Sequence, residues 1–146
     1  MTFLTEAAID AARLAARVAG PGRGAQVWFV GTVRNHQDGR QVSELHYTAY
    51  GPMAEAQCGA IVAEAEARWP VSVTLQHRVG TLTIGDAAVV VVVTGDHREE
   101  AFAACRFVIE EVKHRVPVWK RERYADGTEA WVDPTAALDP AETGSP

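Results

Sequence analysis

Lys113 and Lys120 are the only two lysines in the 146-residue chain, and they stand seven residues apart in Lys113-His114-Arg115-Val116-Pro117-Val118-Trp119-Lys120-Arg121-Glu122. Of the 14 Lys and Arg residues, the other 12 are arginine. A guanidinium keeps its charge, whereas an amine that is desolvated or crowded by like charge can lose its proton and act as nucleophile, base or acid. Two amines confined to one short segment therefore mark it as a place for chemistry. The plain alternative is two surface lysines that fell close together by chance.

Two other polar clusters accompany them: Arg34 with His36, and Asp96 with His97 and Arg98. Each follows a strand-like apolar run, where ligand sites commonly form. Cationic clusters in a chain of net charge -5 point to an anionic, phosphate-bearing small molecule. His97 and Arg98 open a helix, whose free N–H groups could add to an anion cradle. Other chemistries fare worse. The serines Ser43, Ser72 and Ser145 lie in no Gly-x-Ser-x-Gly setting, and no His-x-x-x-His pair supports a metal. Cys58 and Cys105 fall in helix-like segments without a CxxC partner and read as buried apolar residues. No metal and no cofactor are expected.

The elements that must position these residues follow from periodicity and punctuation. Asp10 caps a helix through Val18, and the glycines of Gly20-Pro21-Gly22-Arg23-Gly24 end it. Strands are expected over Val27 to Val33, Val42 to Tyr50, Val71 to Val79 and Thr81 to Ile84, with Arg34 to Arg40 a polar loop. Gly51-Pro52 starts a helix that runs to Trp69 before Pro70. The β-branched run Ala87 to Thr94 suits a central strand covered on both faces. Arg98 to Arg115 is a helix, with Phe102, Cys105, Ile109 and Val112 as its buried stripe. Lys113 then projects about 20° from Phe102, and Arg98 about 40° on its other side. Charges flanking a buried stripe imply that the core opens into a polar pocket there, unless both side chains snorkel outward. Pro117 stops the helix, Lys120 follows on a strand, and Arg121 to Tyr124 with Glu129 to Val132 form a hairpin.

Composition sets the frame. At 47% hydrophobic and 23% charged, the chain reads as one globular α+β domain over 1–133, with a loose tail over 134–146. Its acidity argues against a general nucleic-acid or anionic-membrane surface. No apolar run is long enough to span a bilayer, and acidic Glu6 and Asp10 do not suit a signal peptide, so a cytoplasmic location is expected.

Five segments resemble, in order and spacing, the large catalytic subunit of molybdopterin synthase: Gly31 to His36, Tyr50 to Ala54, His77 to Gly80, Asp96 to Phe102 and Lys113 to Glu122. The resemblance runs from about Val27 to Val132. It implies a mixed α/β hammerhead fold. It also implies a sulfur transferase that converts cyclic pyranopterin monophosphate to molybdopterin, each sulfur arriving as a thiocarboxylate on the C-terminal glycine of a small ubiquitin-like partner. The large subunits of the family pair as a homodimer within a heterotetramer. Carried over by position, Lys113 and Lys120 match the catalytic lysines. Thr32, Val33 and Arg34 match a substrate loop, His97 and Arg98 an anion-binding pair, and Arg121 and Glu122 the segment after the second lysine. Thr32 stands where some members have lysine. Val118, Trp119 and Trp131 are candidates to pack the partner's diglycine tail. A non-catalytic module that senses a phosphorylated metabolite would carry similar residues and stays open on the sequence.

Overall fold

The computed structural model describes residues 2–132. The tail expected over 134–146 lies outside them.

Two sheets and three helices make an α+β fold. The first sheet has the order β1 (Leu4–Thr5), β5 (Val71–Arg78), β7 (Ala87–Gly95), β2 (Ala25–Thr32), with β1–β5 parallel and the other pairs antiparallel. The valine run sits at its centre because both faces are covered. On one face α1 (Ala11–Val18) lays Leu14 and Ala15 over Val90 and Val92. Asp10 caps that helix, its side chain accepting from Arg13 N at 3.1 Å. Buried Thr94 and Thr74 donate from the sheet to the carbonyls of Val18 and Leu14, at 2.6 and 3.2 Å, so the helix's C-terminal half is anchored by hydrogen bonds as well as packing. On the other face α2 (Gly51–Arg68) and α3 (Arg98–Arg115) pack Ile61, Cys58, Cys105 and Val108 against Val89, Val91 and Val93. Burial pushes both thiols up, Cys58 to about 12 and Cys105 to about 11, as expected of apolar fillers.

The second sheet is built around β4 (Arg40–Ala49), which pairs with β3 (His36–Gln37), β6 (Gly80–Thr83) and β8 (Val118–Tyr124); β9 (Glu129–Val132) extends β8. The segment read as a polar loop contains β3, a two-residue arm of a hairpin. Its turn, Asp38-Gly39, has φ of 51° and 77°, the left-handed pair that an Asp-Gly dipeptide accommodates.

The stripe of α3 differs from the one expected. Ala101, Ala104, Cys105, Val108, Ile109 and Val112 are buried, while Phe102 is 60% exposed. Small Ala101 and Ala104 let the helix approach the sheet closely, which turns the bulky ring outward. Lys113, one residue past Val112, consequently borders the buried face. Among the described residues, no helix is long and apolar enough to cross a membrane.

Candidate active site

Beside the C-terminal end of α3 lies a cavity of about 390 Å³ walled by strands of both sheets. Both lysines line it. Lys113 reaches it from α3, through Ile109, Val112, Lys113 and Val116 at helical spacing, and Lys120 reaches it from β8, through Val118, Lys120 and Glu122 at strand spacing. Proline at 117 is what allows this: the helix ends at Arg115, and the chain returns as a strand within three residues, bringing the second amine back toward the first.

The opposite wall is the end of β2. Pairing with β7 slips between Gly31 and Thr32, and this bulge redirects Thr32, Val33 and Arg34 toward the cavity. Gly31 is required there, since a Cβ would lie 2.9 Å from Val89 Cγ1. Arg34 is braced by donating from Nη2 to Gln37 Oε1 at 2.7 Å.

The two lysines have unlike surroundings. Lys120 Nζ lies 3.4 Å from the Glu122 carboxylate, whose side chain is 3% exposed. Glu122 also accepts from Tyr124 Oη at 2.8 Å, and that hydrogen bond raises the Tyr124 phenol above its ordinary value. Lys113 has no carboxylate within ion-pairing distance among the described residues. The residue as a whole is exposed, yet desolvation of the amine holds it below the ordinary lysine value, and the charges of Lys120 and Arg34 push the same way. Tyr47, beside Lys120 in the ladder, is raised to about 12 by burial and then by Glu122, so it remains a phenol at neutral pH. His77 packs edge-on to Tyr47 with ring centroids 5.1 Å apart, and burial lowers it to about 4.

Of the residues expected from sequence, Thr32, Val33, Arg34, Lys113, Lys120 and Glu122 share this cavity. Arg121 does not: strand alternation turns it to the other face of β8, where it meets Glu129 at 3.7 Å and Trp131. Trp119 and Trp131 also lie on that outer face, and of the three apolar residues expected to pack a tail only Val118 lines the cavity. His97 and Arg98 line a separate depression with Gly24, Asp96, Glu99 and Phe102. Arg98 begins the helix that Lys113 nearly ends, so the two are about 22 Å apart along its axis. Tyr47, His77 and Gln37 are cavity residues the sequence reading left out. His77 stood inside a quoted segment, but nothing in its spacing signals that a register-paired strand turns it inward.

The sequence model of the family described as MoaE protein matches residues 4–115. A molybdopterin synthase catalytic subunit from Nostoc sp. is 44% identical over 111 residues, covering 75% of this chain and 67% of that protein. Molybdopterin synthase catalytic subunit 1 from Mycobacterium tuberculosis is 43% identical over 130 residues, 88% of each chain. Among solved structures, molybdopterin synthase from Staphylococcus aureus superposes with a TM-score of 0.85 at 33% identity, over 90% of this chain and 96% of that one. A complex of subunits 1 and 2 of molybdopterin-converting factor from Helicobacter pylori shares the fold, with a TM-score of 0.71 at 23% identity.

Proposed function

The chain belongs to the MoaE protein family, and we propose that its cavity is where cyclic pyranopterin monophosphate receives sulfur to become molybdopterin. The observation that carries the reading is the inequality of the two amines. Lys120 is paired with a buried carboxylate; Lys113 has no such partner among the described residues, and desolvation lowers its pKa, which suits it to exchange a proton. Attack on the pterin side chain by a thiocarboxylate sulfur forms a thioester, which water then cleaves to leave the sulfur on the pterin and the partner's glycine as a carboxylate; the sequence needs a proton donor and a counter-charge for that carboxylate. Lys113 fits the first task as acid/base or covalent participant, and Lys120 the second, while also depressing Lys113 by like charge. Arg34 neutralises the cyclic phosphate and gains importance as ring opening puts charge on the leaving oxygen. Thr32 and Val33 supply the loop that carries it, and Glu122 fixes Lys120.

The sulfur donor in this reading is a small ubiquitin-like partner whose C-terminal diglycine thiocarboxylate enters the cavity past Val118. A homodimer of the large subunit within a heterotetramer completes the assembly. β2 is an edge strand with Trp28 44% and Val30 42% exposed, a surface suited to a second copy. His97 and Arg98 lie too far from Lys113 to serve its site within one chain, and an anion-binding role for them requires that second copy. We place the enzyme in the cytoplasm, in keeping with its two free buried cysteines.

The test is reconstitution with purified thiocarboxylated partner and the cyclic pterin. The enzyme yields molybdopterin only when the partner carries sulfur. A sensor of phosphorylated metabolites would bind the pterin and leave it unchanged.

A further inference from the structure

We propose that His77 is a substrate-positioning residue, its Nε2 accepting a hydrogen bond from a ring N–H of the bound pterin. The inference rests on the reading of the cavity as the pterin site, and follows from sorting the cavity wall into donors and acceptors. As cations Lys113, Lys120 and Arg34 donate and do not accept, which suits a phosphate. A pterin also carries N–H groups along its ring edge, and each one buried without an acceptor weakens binding.

Of the side-chain acceptors on the wall, Thr32 and Tyr47 are hydroxyls that also donate, and the others are mostly engaged. Glu122 accepts from Tyr124 and pairs with Lys120; Gln37 Oε1 accepts from Arg34; His36 stands exposed at the rim with Nδ1 on Asn35. His77 differs. The residue is 8% exposed and lines the cavity. Its Nδ1 lies 2.8 Å from the Arg78 carbonyl oxygen, which can only accept, so Nδ1 carries the proton and Nε2 presents a lone pair. The edge contact with Tyr47, at an interplanar angle of 78°, fixes the ring plane. Pairing of β5 with β7 at His77 and Val89 fixes the backbone behind it. Burial, and the charge of Lys113 on α3, keep the ring neutral at physiological pH, so this acceptor is not lost by protonation. Arg34 and His36 beyond β2, Tyr47 on β4 and Lys120 with Glu122 on β8 are the other titratable groups on the surrounding walls. A phosphate alone would have no use for such a group; a ring with N–H donors would.

The experiment compares the affinity of wild type, His77→Phe and His77→Gln for cyclic pyranopterin monophosphate and, separately, for inorganic phosphate. Phe keeps the flat apolar contact with Tyr47 but has no acceptor. It should bind the pterin about tenfold more weakly, the effect of one buried unpaired donor, and bind phosphate as wild type does. His77→Gln, which restores an acceptor, should recover much of the loss, and in turnover the defect should appear in KM rather than kcat. Should the Phe variant fail to fold, the ¹⁵N resonance of His77 Nε2 in the wild type decides: it should move when pterin is added and stay when phosphate is added. Equal pterin affinity of wild type and a folded Phe variant, or an unmoved Nε2 resonance in the pterin complex, overturns the inference. Failure of the wild-type chain to bind the pterin at all overturns the underlying functional reading instead, and is seen before any variant is made.

Discussion

Lys120 Nζ sits 3.4 Å from a Glu122 carboxylate that is almost wholly buried, and that contact gives the two lysines of the cavity different chemistry. The amine across the cavity, with cations for neighbours, is inclined to give its proton up.

The first consequence is spectroscopic. Because the chain has just two lysines, reductive methylation with ¹³C labels two lysine amines besides the N-terminus. The resonance that disappears in Lys113→Arg should titrate below the ordinary lysine value. In Lys120→Gln it should move back up, though only in part, because desolvation is the larger cause and Arg34 remains.

Removing the carboxylate should cost stability. Glu122→Gln keeps an acceptor for Tyr124 but leaves the Lys120 ammonium without its counter-charge at a side chain only 18% exposed. Breaking a buried pair from one side typically costs about 3 kcal/mol, which chemical denaturation at neutral pH would register.

His77 makes stability depend on pH. Its ring has a native value of about 4 against 6.5 for an unperturbed imidazole. Above 6.5 it is neutral folded or unfolded and imposes no penalty. As pH falls from 6.5 to 4 the unfolded chain takes up a proton that the native state refuses, so stability is lost across that window, by about 3 kcal/mol in full. The unfolding free energy followed from pH 7 to 4 should fall more steeply in wild type than in His77→Phe, and the difference between the two carries the slope due to this ring.

The tail of the partner gives a fourth outcome. Deleting its last two residues should abolish sulfur transfer while leaving pterin binding by the large subunit intact, as measured by direct titration. Unchanged activity would end the threading model.

Much of this was legible in the sequence, because its punctuation is strong. Asp10, Pro52 and Pro117 set the limits of the helices, and the valine run could only be a central strand. Residue type and spacing singled out Lys113 and Lys120, and both line the cavity. What periodicity could not show was which way α3 rolls: of its two phenylalanines Phe107 packs against the core, while Phe102 is outside because two alanines give the sheet a closer fit. Nor could it show that Arg121 and Trp119 turn their backs on the cavity, since strand phase is set by pairing with β4 rather than by local pattern. Segments that match a family motif in line, such as His97-Arg98, need not converge within one chain. The helix between Arg98 and Lys113 holds their backbones apart.

Single-turnover sulfur transfer by wild type and Lys113→Arg, with thiocarboxylated partner and cyclic pterin, tests the role of the Lys113 amine most directly. Arginine keeps the positive charge but has no proton to exchange at working pH. The variant should fold, bind both partner and pterin, and form dithiolene at least about a hundredfold more slowly. Transfer at the wild-type rate by that variant would contradict the assignment of the chemistry to the Lys113 amine.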